Sequence, residues 1–224
     1  MRKYLFLIAW VVGLSLALSA CQRLPKAREW TCAELLATPL QSYIGQAFAA
    51  DALAEAIVKV YGIPRQEMSV NTHDDGSWFV SWTRNGLGHG ASSESGMTLD
   101  AIGIDYQSSA VSSRRIIDCV GSSPEWYSAQ FGLRAPTTEM GYSLILYFPA
   151  QGLVANGNVH SSRKAPPPSL SADFLMEHLF IGTLDSFPAL YEQRWGTPID
   201  AARPAWQPVP WPGDWGAIHW VEDR

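Results

Sequence analysis

The side chains able to do chemistry are few and scattered. His73, His89, His160, His178 and His219 are the histidines. None stands in the HExxH or HxxxH spacing that turns two imidazoles on one helix face towards a zinc ion. His73-Asp74-Asp75 sets three metal-ligating side chains in a row. Gly76 follows them, and Asp next to Gly is the chemistry of a polar turn, which is how the segment reads. His178 lies in an apolar stretch and reads as a strand histidine. Ser161-Ser162-Arg163-Lys164 matches the SxxK pattern of penicillin-recognising enzymes. That pattern works when a helix stacks the serine and lysine on adjacent turns. Pro166-Pro167-Pro168 forbids such a helix here, and the SDN and KTG triplets are missing. No GxSxG, Walker loop or GxGxxG occurs. Gly86-Leu87-Gly88-His89-Gly90 reads as a flexible loop after a turn rather than a phosphate cradle, because no helix start follows it. Glycan hydrolysis needs two carboxylates a few ångströms apart. Asp100 and Asp105, five apart, fall on opposite faces of a strand, and Glu125 and Glu139 fall at loop edges. No catalytic residue, no metal ligand and no cofactor is assigned.

The cysteines say more. The chain opens Arg2-Lys3, carries no charge from Tyr4 to Ala20, and then reads Leu18-Ser19-Ala20-Cys21. This is the n-region and h-region of a secretory signal. Its end resembles the lipobox of bacterial lipoproteins. That resemblance implies lipid transfer to the Cys21 sulfur, cleavage after Ala20 and acylation of the new amino terminus. One acyl chain anchors weakly, and stable anchoring takes two signals, which a diacylglyceryl group supplies. Gln22 follows where Asp is the usual inner-membrane retention signal, so an outer membrane is the expected address if the cell has one. With Cys21 lipidated, Cys32 and Cys119 remain as a single pair, expected to be oxidised outside the cytoplasm.

Composition sets the outer limits. The chain has 224 residues, 47% hydrophobic and 17% charged, enough to build a core. The formal charge is −5, and −7 once residues 1–20 are removed, with 14 basic against 21 acidic residues. A generally basic nucleic-acid binder is excluded. The acidic body gains nothing from an anionic membrane surface, so lipid must hold it there. Tryptophan is the unusual component: ten occur, and Trp195, Trp206, Trp211, Trp215 and Trp220 fall in the last thirty residues. Large aromatics clamp a tail onto a body, or else they anchor a partner or stack on sugars. Trp206, Trp211, Trp215 and Trp220 are therefore the candidate binding residues.

The elements that must position these groups follow from periodicity. Residues 21–30 form the lipidated Cys and a tether, 31–203 an α+β domain, and 204–224 a Pro- and Trp-rich tail on the surface. Thr31-Cys32-Ala33-Glu34 has the capping-box pattern and opens a short helix ending before Pro39. A helix over 51–61, capped by Asp51, carries Leu53, Ile57, Val60 and Tyr61 on one face and stops at Gly62 and Pro64. Trp78–Trp82, the turn Asn85-Gly86 and the segment 99–106 give a meander over 78–107. A helix capped by Ser113 carries Ile116, Ile117 and Val120, and Gly121 and Pro124 follow it. Tyr142–Phe148, a turn at 149–152 and Leu153–Ala155 form a hairpin. Residues 161–169 break order as a polyproline-like loop. Leu175–Ile181 is a last strand, and Asp185 caps a helix bearing Phe187, Leu190, Tyr191 and Trp195, closed by Gly196. Two helix–hairpin units, 51–107 and 113–160, emerge. The predicted fold is α+β: antiparallel meanders or hairpins with helices packed on one face.

Arg115–Ala129 and Leu146–Val154 resemble a group of bacterial lipoproteins of no assigned activity. The helix–Gly-x-Pro–hairpin units are similar to the outer-membrane assembly lipoproteins of the BamE (SmpA/OmlA) kind and to tandem β-lactamase-inhibitor-like folds. Both families bind proteins and carry no catalytic residues, and the extension over 161–224 departs from them. The expected function is a lipid-anchored, non-catalytic binding or assembly module of the cell envelope with an envelope protein as partner. The alternatives are an envelope hydrolase whose site is assembled only in space, and a glycan or small-ligand binder built on tryptophan.

Overall fold

A computed structural model describes residues 30–106, 111–133, 139–183, 187–195, 198 and 206–223. Cys21, the leader before it and the tether up to residue 29 lie outside the described residues, as do Asp185 and Gly196. The chain divides into two units, 1–31 and 32–224, and the second carries the fold. It is α+β, with helices and a large, mostly antiparallel sheet.

Two short helices come first, α1 (Cys32–Leu35) and α2 (Thr38–Gln41). Pro39 does not merely follow the first helix. It sits in the first turn of the second, where its missing N–H is harmless. The longer α3 (Ala50–Tyr61) buries Leu53 and Ile57 fully and leaves Val60 and Tyr61 half-buried. Asp51 does not cap it. Phe48 N–H donates to Met97 O at 2.9 Å, which fixes the chain entry, and the helix starts at Ala50 behind an Ala49 that makes no side-chain cap. Asp51 instead lies in the first turn, where its charge suits the helix dipole, 2.7 Å from Arg65. Gly62, left-handed at φ 67°, ends the helix.

The strands β1 (Ser69–Thr72), β2 (Trp78–Arg84), β3 (Leu87–Ser93) and β4 (Ala101–Asp105) form a meander. In β2 the burial alternates, with Trp78, Val80 and Trp82 inward. Asn85 and Gly86 both have positive φ, 55° and 83°, the two-residue turn whose twist suits a hairpin. Beyond it, Gly86–Gly90 is not a loop: Leu87, His89, Ala91 and Ser93 are buried at every second position of a regular strand. Period two outweighed glycine content, because the residues with something to bury all fall on one side.

The pair β5 (Val111–Ser112) leads into α4 (Ser113–Val120). The cap is Ser112, whose side chain accepts the Arg115 N–H; Ser113 is fully buried, its hydroxyl donating to Ala172 O at 2.9 Å. Gly121 again takes a left-handed φ, 78°. Three long strands follow: β6 (Trp126–Leu133), β7 (Glu139–Phe148) and β8 (Leu153–Ser162). The aromatics Trp126, Tyr127 and Phe131 thus belong to a strand. Ser161 and Ser162 pair with Met140 and Glu139, so the expected break at 161 begins only after the ladder ends. Two-residue β9 (Leu175–Met176) pairs with β5. Next come β10 (His178–Gly182) and α5 (Phe187–Trp195), and in the tail β11 (Val209–Pro210) and β12 (Val221–Glu222).

The large sheet runs β1-β2-β3-β4-β10-β8-β7-β6-β11, with β12 also on β6, in parallel. β10 therefore lies between the two meanders and pairs with both, Leu179 with Ile104 on one side and with Ala155 on the other. The tail adds exposed strands to the sheet edge along β6, with Pro210 in an edge strand as its missing donor requires. Cross-strand register gives each face its residues. One face carries Val80, Trp82, His89, Ile102, Ile104, Leu179, Leu146 and Phe148, all buried. It receives α3, whose Tyr61 ring lies 4.1 Å below the Arg84 guanidinium. The other face receives α5: Leu190 and Tyr191 pack on Ile145, Tyr147 and Val154, flanked by Trp126, Phe180 and Trp195. The helices thus divide between both faces, because Ile145, Tyr147 and Val154 alternate with the residues of the first core and need their own cover. Burying a side chain such as Leu190 contributes about 1.5–3 kcal/mol.

The Cys32–Cys119 disulfide is formed, with Cα atoms 5.1 Å apart and a sequence separation of 87. It joins α1 to α4. The Tyr106 hydroxyl donates to Leu35 O and ties α1 to the end of β4. Substituting Cys119→Ser is expected to lower unfolding free energy by about 3–5 kcal/mol, read from the denaturant midpoint. His89 is buried and stacks on Trp82 at 5.3 Å, its Nδ1–H donating to Leu87 O at 3.1 Å. Burial lowers its pKa from 6.5 to about 4. The unfolded chain then binds the extra proton first, so stability is full above pH 6.5 and falls as pH drops towards 4, by about 3 kcal/mol in all. A His89→Phe variant is expected to lose that part of the acid sensitivity in a pH series of unfolding midpoints.

Candidate functional site

Alternation along β3 and β4 has a second consequence. The residues opposite the buried set are Gly88, Gly90 and Ser92 on β3, and Ala101, Gly103 and Asp105 on β4. Gly90 pairs with Gly103, and Gly103 pairs with Phe180 of β10. In the adjoining row Gly88 pairs with Asp105, and Asp105 with His178. Small residues side by side on β3 and β4 leave a trough in the sheet face, a groove of 480 Å³ within the usual size of a ligand site. Phe79 of β2 closes one side: a Cβ at Gly90 would lie 2.7 Å from its Cζ. Phe180 stands on the other side.

The groove is charged at two places. Arg194 of α5 reaches over its wall, the guanidinium carbon 5.6 Å from the Phe180 ring and 4.3 Å from the Trp195 ring. Among the described residues it makes no hydrogen bond or ion pair, and its Nε is buried without a partner. Burial lowers its pKa from the ordinary 12.5, yet a guanidinium stays charged. In the Gly88 row, His178 Nδ1 lies 3.8 Å from Asp105 Oδ1.

Histidine beside aspartate, with Ser92 in the same groove, raises nucleophilic catalysis. Register decides against it. Ser92 lies four residues along and two strands across from His178, roughly 16 Å by strand geometry. A serine and its base must be within about 3 Å. Thr83 shares the His178 row but stands three strands away, roughly 14 Å. Sequence placed His178 in a strand; it could not bring Asp105 beside it, since their meeting depends on β10 pairing with β4.

The other sequence candidates are also placed. Ser161 ends a strand and Lys164 lies past it, so SxxK is not on a helix. Asp75 accepts from Ser77 N–H at 2.9 Å and from its hydroxyl at 2.6 Å, so the His73–Gly76 segment is a turn. Asp100 accepts from Thr98 and from Glu94 N–H, organising the chain before β4. Among the described residues no group of three His, Cys, Asp or Glu side chains could hold a metal ion, and no helix is long and apolar enough to cross a membrane.

The four tail tryptophans divide. Trp220 donates its indole N–H to Pro168 O at 2.9 Å and touches Tyr142 and Phe174, with ring centres 5.2 and 5.9 Å away. Trp211 meets Tyr127 and Trp215 edge-on, at 5.8 and 4.9 Å. These three fasten the tail. Trp206 is exposed and borders a smaller hollow of 220 Å³ with Gly132, Gly141 and His160. The tail thus offers no continuous row of exposed rings.

The groove residues Gly88, Gly90, Gly103, Phe79, Phe180 and Arg194 were missed in the sequence. The signal was there in part, as glycine at every second position on β3. Trp220→Ala is expected to cost about 3 kcal/mol of stability, and Trp206→Ala under about 0.5, in the same unfolding assay. Comparison with protein-family models, curated proteins and solved structures finds no match to the chain.

Proposed function

We propose that this chain is a lipid-anchored binding module of the bacterial cell envelope, without catalysis of its own. Acyl chains on Cys21 hold it to the cell membrane or outer membrane, residues 22–30 give reach, and the 32–224 fold presents a binding surface. The groove over β3, β4 and β10 carries this reading: it has ligand-site dimensions and a glycine floor, while the strand hydroxyls on that face stand far from its histidine. The formed Cys32–Cys119 pair supports an oxidising compartment, where a signal ending in a lipobox would deliver the chain. The likeness to BamE-type lipoproteins, which bind proteins, adds an envelope protein as the partner to be sought.

The test is mass spectrometry of the chain isolated from a host that expresses it with its own leader. The expected product begins at Cys21, carries fatty acyl mass there and co-sediments with membranes. A Cys21→Ser change is expected to leave an unprocessed precursor. A mature protein without acyl mass, or one recovered from the cytoplasm, would overturn the assignment.

A further inference from the structure

Glycine inside a strand weakens it, through lost packing and greater freedom in the unfolded chain. Most strand glycines of this sheet have a packing reason to be there. A Cβ at Gly157 would meet Leu175 O at 2.0 Å, one at Gly182 would meet Gln193 Oε1 at 2.1 Å, and one at Gly90 would strike the Phe79 ring. Gly103 is different. It lies in the middle of β4, paired on both sides, and a Cβ there would meet nothing within 4 Å. A Cβ therefore has room there, and a side chain with strand propensity is what a mid-strand position ordinarily carries. What glycine keeps at this position is open space, in the centre of a groove walled by Phe79 and Phe180.

Arg194 at the same groove is the second observation. A half-buried guanidinium normally has a carboxylate or several carbonyl oxygens around it, since desolvating a charge without partners is costly. Here the described residues offer it the ring faces of Phe180 and Trp195 and the nearby Tyr147 phenol, but no carboxylate. Its planar fork matches an oxyanion in bidentate fashion. The Asp105 carboxylate, in the next row, repels an anion at that end and favours the opposite orientation. The two aromatic walls and the bare floor suit a flat apolar body.

From this geometry we propose that the groove over Gly103 binds a small flat organic acid, its anionic group held by Arg194 and its apolar body laid on the glycine floor between Phe79 and Phe180. This deepens the binding-module reading and rests on it for the role of the groove. The ligand class is set by the chemistry of the walls: a cation with no ion pair among the described residues, two phenyl rings and a bare Gly103 at the centre of the floor.

The experiment is isothermal titration of the full-length mature chain with three probes of one shape: 2-naphthoate, 2-naphthalenemethanol and 2-naphthylmethylamine. The acid is expected to bind at least tenfold more tightly than the alcohol or the amine, and to shift the amide signals of Gly90, Gly103 and Phe180 in NMR spectra. Arg194→Gln is expected to bring the acid down to the level of the alcohol. Gly103→Val is expected to abolish binding of the acid while its thermal midpoint stays equal to wild type or rises, so that lost binding is not lost folding. Equal binding of acid and amine, unchanged binding by Gly103→Val, or absence of shifts at the groove would each overturn the proposal. None of these outcomes alters the acyl mass on Cys21, so failure of the ligand class and failure of the anchored-module reading are separable.

Discussion

The backbone ladder on both edges of β10 is the constraint from which the rest follows. Its residues His178–Gly182 pair with β4 on one side, and His178–Ile181 pair with β8 on the other. Without that strand the two meanders would each expose an edge, with a row of unpaired N–H and C=O groups on β4 and on β8. With it, a single hydrogen-bonded sheet extends from β1 to β11. The strand comes late in the chain, after both meanders are complete. The pairing is therefore long-range, and ordering the intervening chain is an entropic cost that the ladder and the burial of Leu179 and Ile181 offset.

The same strand fixes two different faces. Leu179 and Ile181 join the core beneath α3, while His178, Phe180 and Gly182 look the other way. On that second side α5 covers β6, β7 and β8 through Leu190 and Tyr191 and places Arg194 over Phe180. Trp195 Nε1 donates to the Tyr147 hydroxyl at 3.2 Å, so the helix is held in rotation as well as in depth. The glycine-bearing face of β3 and β4 is left as a groove among the described residues. One face is thus closed for stability, and the other is closed over half its width and left accessible over the rest.

Stability and accessibility oppose each other at Gly103. The backbone there has room for a Cβ, and strands ordinarily gain from a side chain that glycine lacks. Elsewhere the fold is reinforced: the disulfide binds α1 to α4, Tyr106 binds α1 to β4, and the tail supplies β11 and β12 to the edge of β6. Sites that keep a weak local choice within a strongly tied framework are where a binding function is commonly housed.

The amino-acid sequence by itself settled what depends on neighbours in the chain. Asn85-Gly86 specified a turn because both residues accept positive φ. Leu53 and Ile57 marked a buried helix face, because period reports which side of a helix meets apolar material, and the strand formers of Trp78–Trp82 marked a strand. The pairing of Cys32 with Cys119 needed only the elimination of Cys21. What lay beyond reach was the partner of each face. Period two does not say that β10 enters between β4 and β8, that α5 takes the face opposite α3, or that Trp220 packs while Trp206 stays exposed. Glycine content made Gly86–Gly90 look like a loop, since the benefit of burying Leu87, His89 and Ala91 comes from residues far away in sequence. The groove, its open floor at Gly103 and the Arg194 at its wall exist only because distant segments meet in one register, and register is a property of the assembled sheet.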